Sequence, residues 1–129
     1  MVQGSAESLS GLVLAQLVRP GAPFIYGALT TVMDMSTMIF SYGAPEMSLM
    51  VGALAQMARH YRLPFFGTAG CSDAKFPDAQ AAAEAAFSAF SAALTGAGLI
   101  HDAGWLDHGS VSSPEYMVLV HEMIQMIGG

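Results

Sequence analysis

The chain has 129 residues, 53% of them hydrophobic and only 11% charged, and its formal net charge is −6. One core fits that length and two do not; a charged share so far below the typical one of about 25% excludes intrinsic disorder. Ten acidic residues stand against four basic ones, Arg19, Arg59, Arg62 and Lys75. The basic footprint that nucleic acid requires is therefore missing, and a cationic ligand suits the balance better.

Cys71 is the only cysteine, which rules out an intrachain disulfide and makes a reducing, cytoplasmic setting the expectation. Met1-Val2-Gln3-Gly4 has neither the basic nor the apolar region of a signal peptide. The mean hydropathy of +0.49 raises a membrane reading, but a spanning helix needs about 20 apolar residues. The best uncharged stretch, Ala85 to Ile100, is shorter, rich in Ala and Ser, and closed by His101 and Asp102. So little charge leaves apolar surface that must meet something outside the chain. Residues 1–129 are expected to form a single unit that is a piece of a larger fold.

Glu7 to Val18 spaces Leu9, Leu12, Val13 and Gln16 or Leu17 as a helix, which Arg19-Pro20-Gly21 stops. Phe24-Ile25-Tyr26-Gly27 is a short apolar run of the buried-strand type. Thr30 to Tyr42 is Met-rich and ambiguous, with room for a short helix inside a long loop. Pro45 then opens a helix with Glu46 at its positive end and Met47, Met50, Val51, Leu54, Met57 and Tyr61 on one face. Leu63-Pro64-Phe65-Phe66-Gly67 echoes the first strand, and Gly67 to Gly70 is a glycine turn. Pro77 begins a third helix running to about Thr95, with Phe87, Phe90 and Leu94 on one face and many Ala and Ser residues that allow close packing. Leu99-Ile100-His101 is the third strand. Ser112-Ser113-Pro114-Glu115 starts the last helix in one of two frames, Ser112 with Glu115 as a capping box or Ser113 capping with Pro114 first. That helix carries Met117, Val120, Met123, Ile124 and Ile127, and Gly128-Gly129 stops it.

The order α-β-α-β-α-β-α indicates a parallel sheet with helices outside it. Three strands cannot close a barrel and their edges would lie open. A sector of a TIM (β/α)8 barrel accounts for the repeat, the apolar excess and the small size together. A small doubly wound parallel sheet is the alternative.

In either fold, chemistry gathers at the carboxyl ends of the strands, which here means Tyr26 to Asp34, Gly67 to Asp78 and His101 to His108. The glycine-rich stretch from Gly67 to Lys75 lacks phosphate-loop spacing, so nucleotide binding is rejected. Cys71 is expected to be a small buried residue rather than a reactive thiolate. Asp73 and Asp78 fit turn and cap roles better than catalytic ones, and Lys75 fits a solvated charge or a partner for one of them. His101 and Asp102, as strand neighbours, should point to opposite faces, which counts against a metal site or a metal-dependent hydrolase built on His101 and His108. Met33, Met35, Met38, Met47, Met50 and Met57 are expected to be irregular core filling. What remains is aromatic rings beside carboxylates, the pairing that holds a quaternary ammonium, a cation with no N–H to donate. Tyr26, Tyr42, Phe66 and Trp105, with Asp34, Asp73 and Asp102, supply both near the strand ends.

The segments Gly21-Ala22-Pro23-Phe24-Ile25-Tyr26-Gly27, Val32-Met33-Asp34-Met35, Tyr42-Gly43-Ala44-Pro45-Glu46-Met47, Ser72-Asp73-Ala74-Lys75-Phe76-Pro77-Asp78-Ala79-Gln80-Ala81 and His101-Asp102-Ala103-Gly104-Trp105-Leu106 closely resemble the trimethylamine:corrinoid methyltransferase family. Family members resemble full TIM barrels several times this length, so the chain matches a middle-to-late portion. The resemblance implies methyl transfer from a methylated or quaternary amine, of the trimethylamine or glycine betaine type, to the Co(I) of a corrinoid (cobalamin) carried by a separate protein. It implies no corrinoid bound covalently by this chain. One branch uses pyrrolysine; the matching residue would fall in the Cys71 to Lys75 loop, where ordinary residues stand, so the non-pyrrolysine branch is favoured. Tyr26, Asp34, Phe66, Asp73, Asp102 and Trp105 are the candidate substrate-binding residues; no catalytic residue and no metal ligand set is assigned. Alone, the segment is expected to be inactive. The competing reading is a non-catalytic interaction or self-association module.

Overall fold

The computed structural model describes residues 1–128. Helix α1 (Val2–Val18) begins at Val2, not Glu7, and the face it buries holds Gly4 and Ser8. Val13, Leu14 and Leu17 stay exposed. Small residues let the helix approach the strand closely: Ser8 Oγ donates to the Gly27 carbonyl at 2.5 Å and accepts the Gly27 N–H at 3.2 Å. Strand β1 (Tyr26–Gly27) is half the expected run. Its partner is preceded by Pro64, which has no N–H to extend the ladder and offers only a carbonyl, taken by the Tyr26 N–H.

The Met-rich segment is a hairpin, not a helix, with β2 (Met33–Asp34) antiparallel to β3 (Ile39–Phe40). The Asp34 carboxylate accepts from Ser36 N–H, Ser36 Oγ and Thr37 Oγ1, a local set of bonds that competes with a helix. Met33, Met35 and Met38 consequently sit exposed, and the expectation of core filling holds for Met47 but not for them.

Helix α2 (Pro45–Tyr61) opens on its proline and ends at Arg62 in the left-handed region. Met47, Val51 and Leu54 are buried on it as the spacing predicts. Strand β4 (Phe65–Thr68) takes in Gly67 and Thr68, which the sequence reading assigns to the glycine turn. Helix α3 (Ala79–Thr95) starts two residues after Pro77, because Asp78 is its cap and accepts the Ala81 N–H at 3.0 Å. The buried stripe of α3 is Ala81, Ala85, Ser88, Ala89 and Ala92, while Phe87, Phe90 and Leu94 are 53%, 55% and 73% exposed.

Strand β5 (Leu99–His101) is as expected. A short ribbon follows, β6 (Trp105–Leu106) antiparallel to β7 (Val111–Ser112), joined by a tight turn at Asp107–Gly109. Helix α4 (Pro114–Gly128) uses the second capping frame, with Ser113 Oγ accepting the Tyr116 N–H at 3.2 Å. Gly128 is helical, and Gly129 lies outside the described residues.

The main sheet is parallel in the order β1-β4-β5. Registers Tyr26 with Phe65, Gly27 with Phe66, Phe66 with Leu99 and Thr68 with His101 fix its two faces. Tyr26 and Phe65 join the core under α2. The other face carries Ile25, Phe66 and Leu99, at 48%, 39% and 48% exposure. A parallel sheet is normally covered on both faces. Here the covering helices leave one bare.

Candidate functional site

The loops that follow the three parallel strands are laced together above their carboxyl ends. Gly104 N–H donates to the Gly70 carbonyl, Ser72 N–H to Trp105 and Asp107 N–H to Ala74, each at 3.0 Å. Gly70 adopts φ +76°, and an added Cβ would come 2.8 Å from Val120 and 3.2 Å from Ala103. Asp102, Asp107 and His108, none of them glycine, also adopt positive φ. Each such residue costs roughly 1–2 kcal/mol, and backbone held this way gathers at working sites.

Two carboxylates organise these loops. Asp73 accepts the Tyr42 N–H at 2.6 Å, the His108 Nδ1–H at 2.9 Å and the Ser41 hydroxyl. Glu84, from α3, accepts the Ser72 hydroxyl at 2.6 Å, the Asp73 N–H at 2.9 Å and the Gln80 amide at 2.9 Å. Among the described residues, neither carboxylate pairs with Lys or Arg. The basic side chains Arg59 and Arg62 lie at the end of α2 that leads into β4, the opposite end of the sheet.

His101 is held on three sides. Its ring stacks on Phe66 with centroids 4.3 Å apart, Nδ1 donates to Asp102 Oδ1 at 2.9 Å, and Nε2 lies 3.0 Å from Thr68 Oγ1. With Nδ1 facing the carboxylate, Nε2 faces the Thr68 hydroxyl. Opposite-face pointing fails for His101 and Asp102 because Asp102 stands past the strand end at φ +71°. Its second oxygen, Oδ2, is buried and has no hydrogen-bond partner among the described residues. Burial first, then the Asp102 and Cys71 charges and a weak interaction with the Asp102 carboxylate longer than a hydrogen bond, push the Tyr42 hydroxyl up to about 12. Burial, then the Asp102 charge, takes the Cys71 thiol to about 12. Burial also raises the Tyr116 phenol.

These shifts set an alkaline limit. An unfolded chain releases the Cys71 proton near pH 9, whereas the folded chain holds it to about 12. The unfolded state therefore binds fewer protons between those values, and stability falls as pH rises through them. Thermal unfolding scans should find Tm flat to about pH 8.5 and dropping above it. The thiol should resist alkylation at pH 8 until the protein unfolds.

The structure gathers some of the expected residues and scatters others. Phe66 and Asp102 meet at His101, whose ring stacks on the one and bonds the other, and the Trp105 backbone N–H donates to the Asp102 carbonyl at 3.3 Å. Asp73 and Tyr42 meet one loop away. Tyr26 is wholly buried, packs against Tyr61 and Phe65, and gives its hydroxyl to Ser5 at 2.7 Å, so its place is in the core. Asp34 spends its carboxylate on its own exposed turn, where Ser36 and Thr37 hold it below the usual carboxylate range. His101 and His108 bind separate carboxylates, and no metal-binding cluster forms among the described residues. Sequence reasoning missed Thr68 and Glu84 altogether, since partners 33 and 12 residues away leave no local signal.

An α/β layer with its polar groups at the carboxyl ends of parallel strands is the build of an enzyme domain. A sequence model described as trimethylamine methyltransferase matches residues 1–129, and the chain belongs to that family. Trimethylamine methyltransferase MttB of Desulfitobacterium hafniense is 40% identical over 127 residues, 98% of this chain and 26% of that protein. MttB of Methanosarcina thermophila is 41% identical over the same shares. A glycine betaine methyltransferase of Desulfitobacterium hafniense is 38% identical over 124 residues, 95% of this chain and 26% of that protein. The chain thus spans about a quarter of the length of these relatives. No helix among the described residues is long and apolar enough to cross a membrane.

Proposed function

We propose that residues 1–129 are a single unit of a longer corrinoid-dependent methyltransferase, a sector of its TIM barrel that supplies part of the amine site. The sequential strand order β1-β4-β5 and the bare face of Phe66 and Leu99 support a barrel wall over a doubly wound sheet, which carries helices on both faces. Family membership favours an enzyme over an interaction module.

The observation that carries the substrate reading is the buried Oδ2 of Asp102, which has no hydrogen-bond partner among the described residues, on the carboxylate that holds the His101 ring stacked on Phe66. A buried carboxylate oxygen left without a donor is costly. A methylated ammonium group supplies the missing positive charge with no hydrogen bond, and ring faces complete its shell. Asp73, with its oxygens taken by Ser41, Tyr42 and His108, contributes charge and loop order in place of direct contact.

The methyl acceptor is the Co(I) of a corrinoid held by a partner protein. The N–CH3 bond breaks with its electron pair left on nitrogen, and the methyl group bonds to cobalt. A quaternary amine departs as a neutral tertiary amine, so no general acid is needed and alignment of N–CH3 with cobalt is the protein's main task. The ordinary residues of the Cys71 to Lys75 loop support the quaternary branch. Identity does not separate the branches, because the relatives named for trimethylamine and for glycine betaine match almost equally well. Cytoplasmic operation belongs to the same proposal.

The test is methylation of cob(I)alamin by a full-length enzyme carrying this segment, with trimethylamine, glycine betaine and tetramethylammonium as donors. Turnover is expected with a quaternary donor, and Trp105→Ala should lower kcat/KM for it about tenfold. Equal rates for Trp105→Ala and the unsubstituted enzyme on every donor would sink the pocket assignment.

A further inference from the structure

His108 is bonded within the chain through Nδ1. It lies in the tight turn between β6 and β7, at φ +55°, a conformation that Asn and Gly accept and other side chains resist. Its Nδ1–H points at Asp73 Oδ1, 2.9 Å away, and that same oxygen takes the Tyr42 N–H. The other Asp73 oxygen takes the Ser41 hydroxyl, whose oxygen in turn accepts the Ala44 N–H at the start of α2. One carboxylate therefore joins the loops after β1, β4 and β5, and His108 is the tie from the β5 side. Packing fits the same arrangement. The Tyr42 ring lies over Gly109, where an added Cβ would come within 2.8 Å of it, and Phe40 meets the His108 ring edge-on at 6.5 Å.

We propose that His108 is a positioning residue, which through its Nδ1–H on Asp73 holds the Ser41–Tyr42 loop against the β5 loop and thereby sets the mouth of the amine site. The role rests on the substrate reading above for its consequence in turnover, while the tie itself is independent of that reading. His108 touches no reacting atom. It fixes where Tyr42 stands relative to Asp102, so its loss should weaken substrate binding more than it slows the transfer step.

The experiment uses a full-length enzyme carrying this segment, with His108→Gly, His108→Asn, Asp73→Ala and the double variant Asp73→Ala/His108→Gly. Glycine and asparagine both accept φ +55°, but only asparagine puts an N–H where Nδ1–H stood. Amide hydrogen exchange at Tyr42 reads the tie directly. It should quicken at least tenfold in His108→Gly and return to within about threefold of the unsubstituted rate in His108→Asn. KM for a quaternary donor should rise about tenfold in His108→Gly with kcat within about twofold, and His108→Asn should restore it. The double variant should be no worse than Asp73→Ala, because residues acting through one contact are non-additive. An unchanged Tyr42 exchange rate in His108→Gly overturns the proposal. So do quickened exchange with KM unmoved, and a double variant whose losses simply add. No turnover by the unsubstituted enzyme with any amine would count against the substrate reading alone, and Tyr42 exchange would still decide the tie.

Discussion

Asp102→Asn in a full-length enzyme carrying this segment should raise KM for a quaternary amine by about 100-fold, with kcat changed much less. The exchange is isosteric and keeps an acceptor for His101 Nδ1–H, so the ring stays on Phe66 and Thr68. What disappears is the negative charge on an oxygen that is buried and unpartnered. An ion held in a partly desolvated pocket by one opposite charge loses about 2–3 kcal/mol when that charge goes, which is about 100-fold in affinity. The loss falls on ground state and transition state alike until the methyl group has left, so it enters KM. Calorimetry with tetramethylammonium checks the binding arm without turnover. Unchanged affinity would assign the cation to another group.

Gly70→Ala should lower stability by about 3 kcal/mol. Two costs add there. Gly70 stands at φ +76°, and the new Cβ would press on the Val120 side chain and on the backbone of Ala103. The second neighbour cannot swing aside, because Gly104 is tied to the Gly70 carbonyl and Gly70 N–H donates to Ser88. Gly98→Ala is the control: nothing lies within 4 Å of its Cβ position and its φ is not left-handed. It should be neutral or slightly stabilising. Urea midpoints of the two variants in the full-length enzyme decide the matter, and equal midpoints would refute the crowding argument.

Where chain punctuation is strong, the elements are legible from residues alone. Pro45, Pro114 and Leu99-Ile100-His101 fall where they are expected because their signals are local: a fixed φ, a capping hydroxyl, a short apolar run. The hairpin at Met33–Phe40 was not legible, since its deciding bonds come from the Asp34 side chain and its methionines suit helix or strand equally. Helix α3 misled in a different way. Its large side chains mark a face by spacing, yet the tertiary structure buries the alanine face, because only small residues let α3 sit close to both α2 and α4.

The same division runs through the site. Aromatic rings and carboxylates near strand ends could be picked out from residue type and position, and Phe66 and Asp102 meet at His101. Tyr26 and Asp34 satisfied the same criteria and went elsewhere, one into the core through the two-residue period of a strand and one into its own turn.

The sequence by itself determined the order of the four helices and the three parallel strands, the family and the excess of apolar surface, because each depends on local spacing or on composition. Only the tertiary structure decided that Asp73 is occupied while one Asp102 oxygen has no hydrogen-bond partner among the described residues, and that His101 and His108 serve different carboxylates. Those outcomes depend on partners 31 to 35 residues apart and on backbone at positive φ, and hydrogen bonds of that kind are settled only when the loops meet.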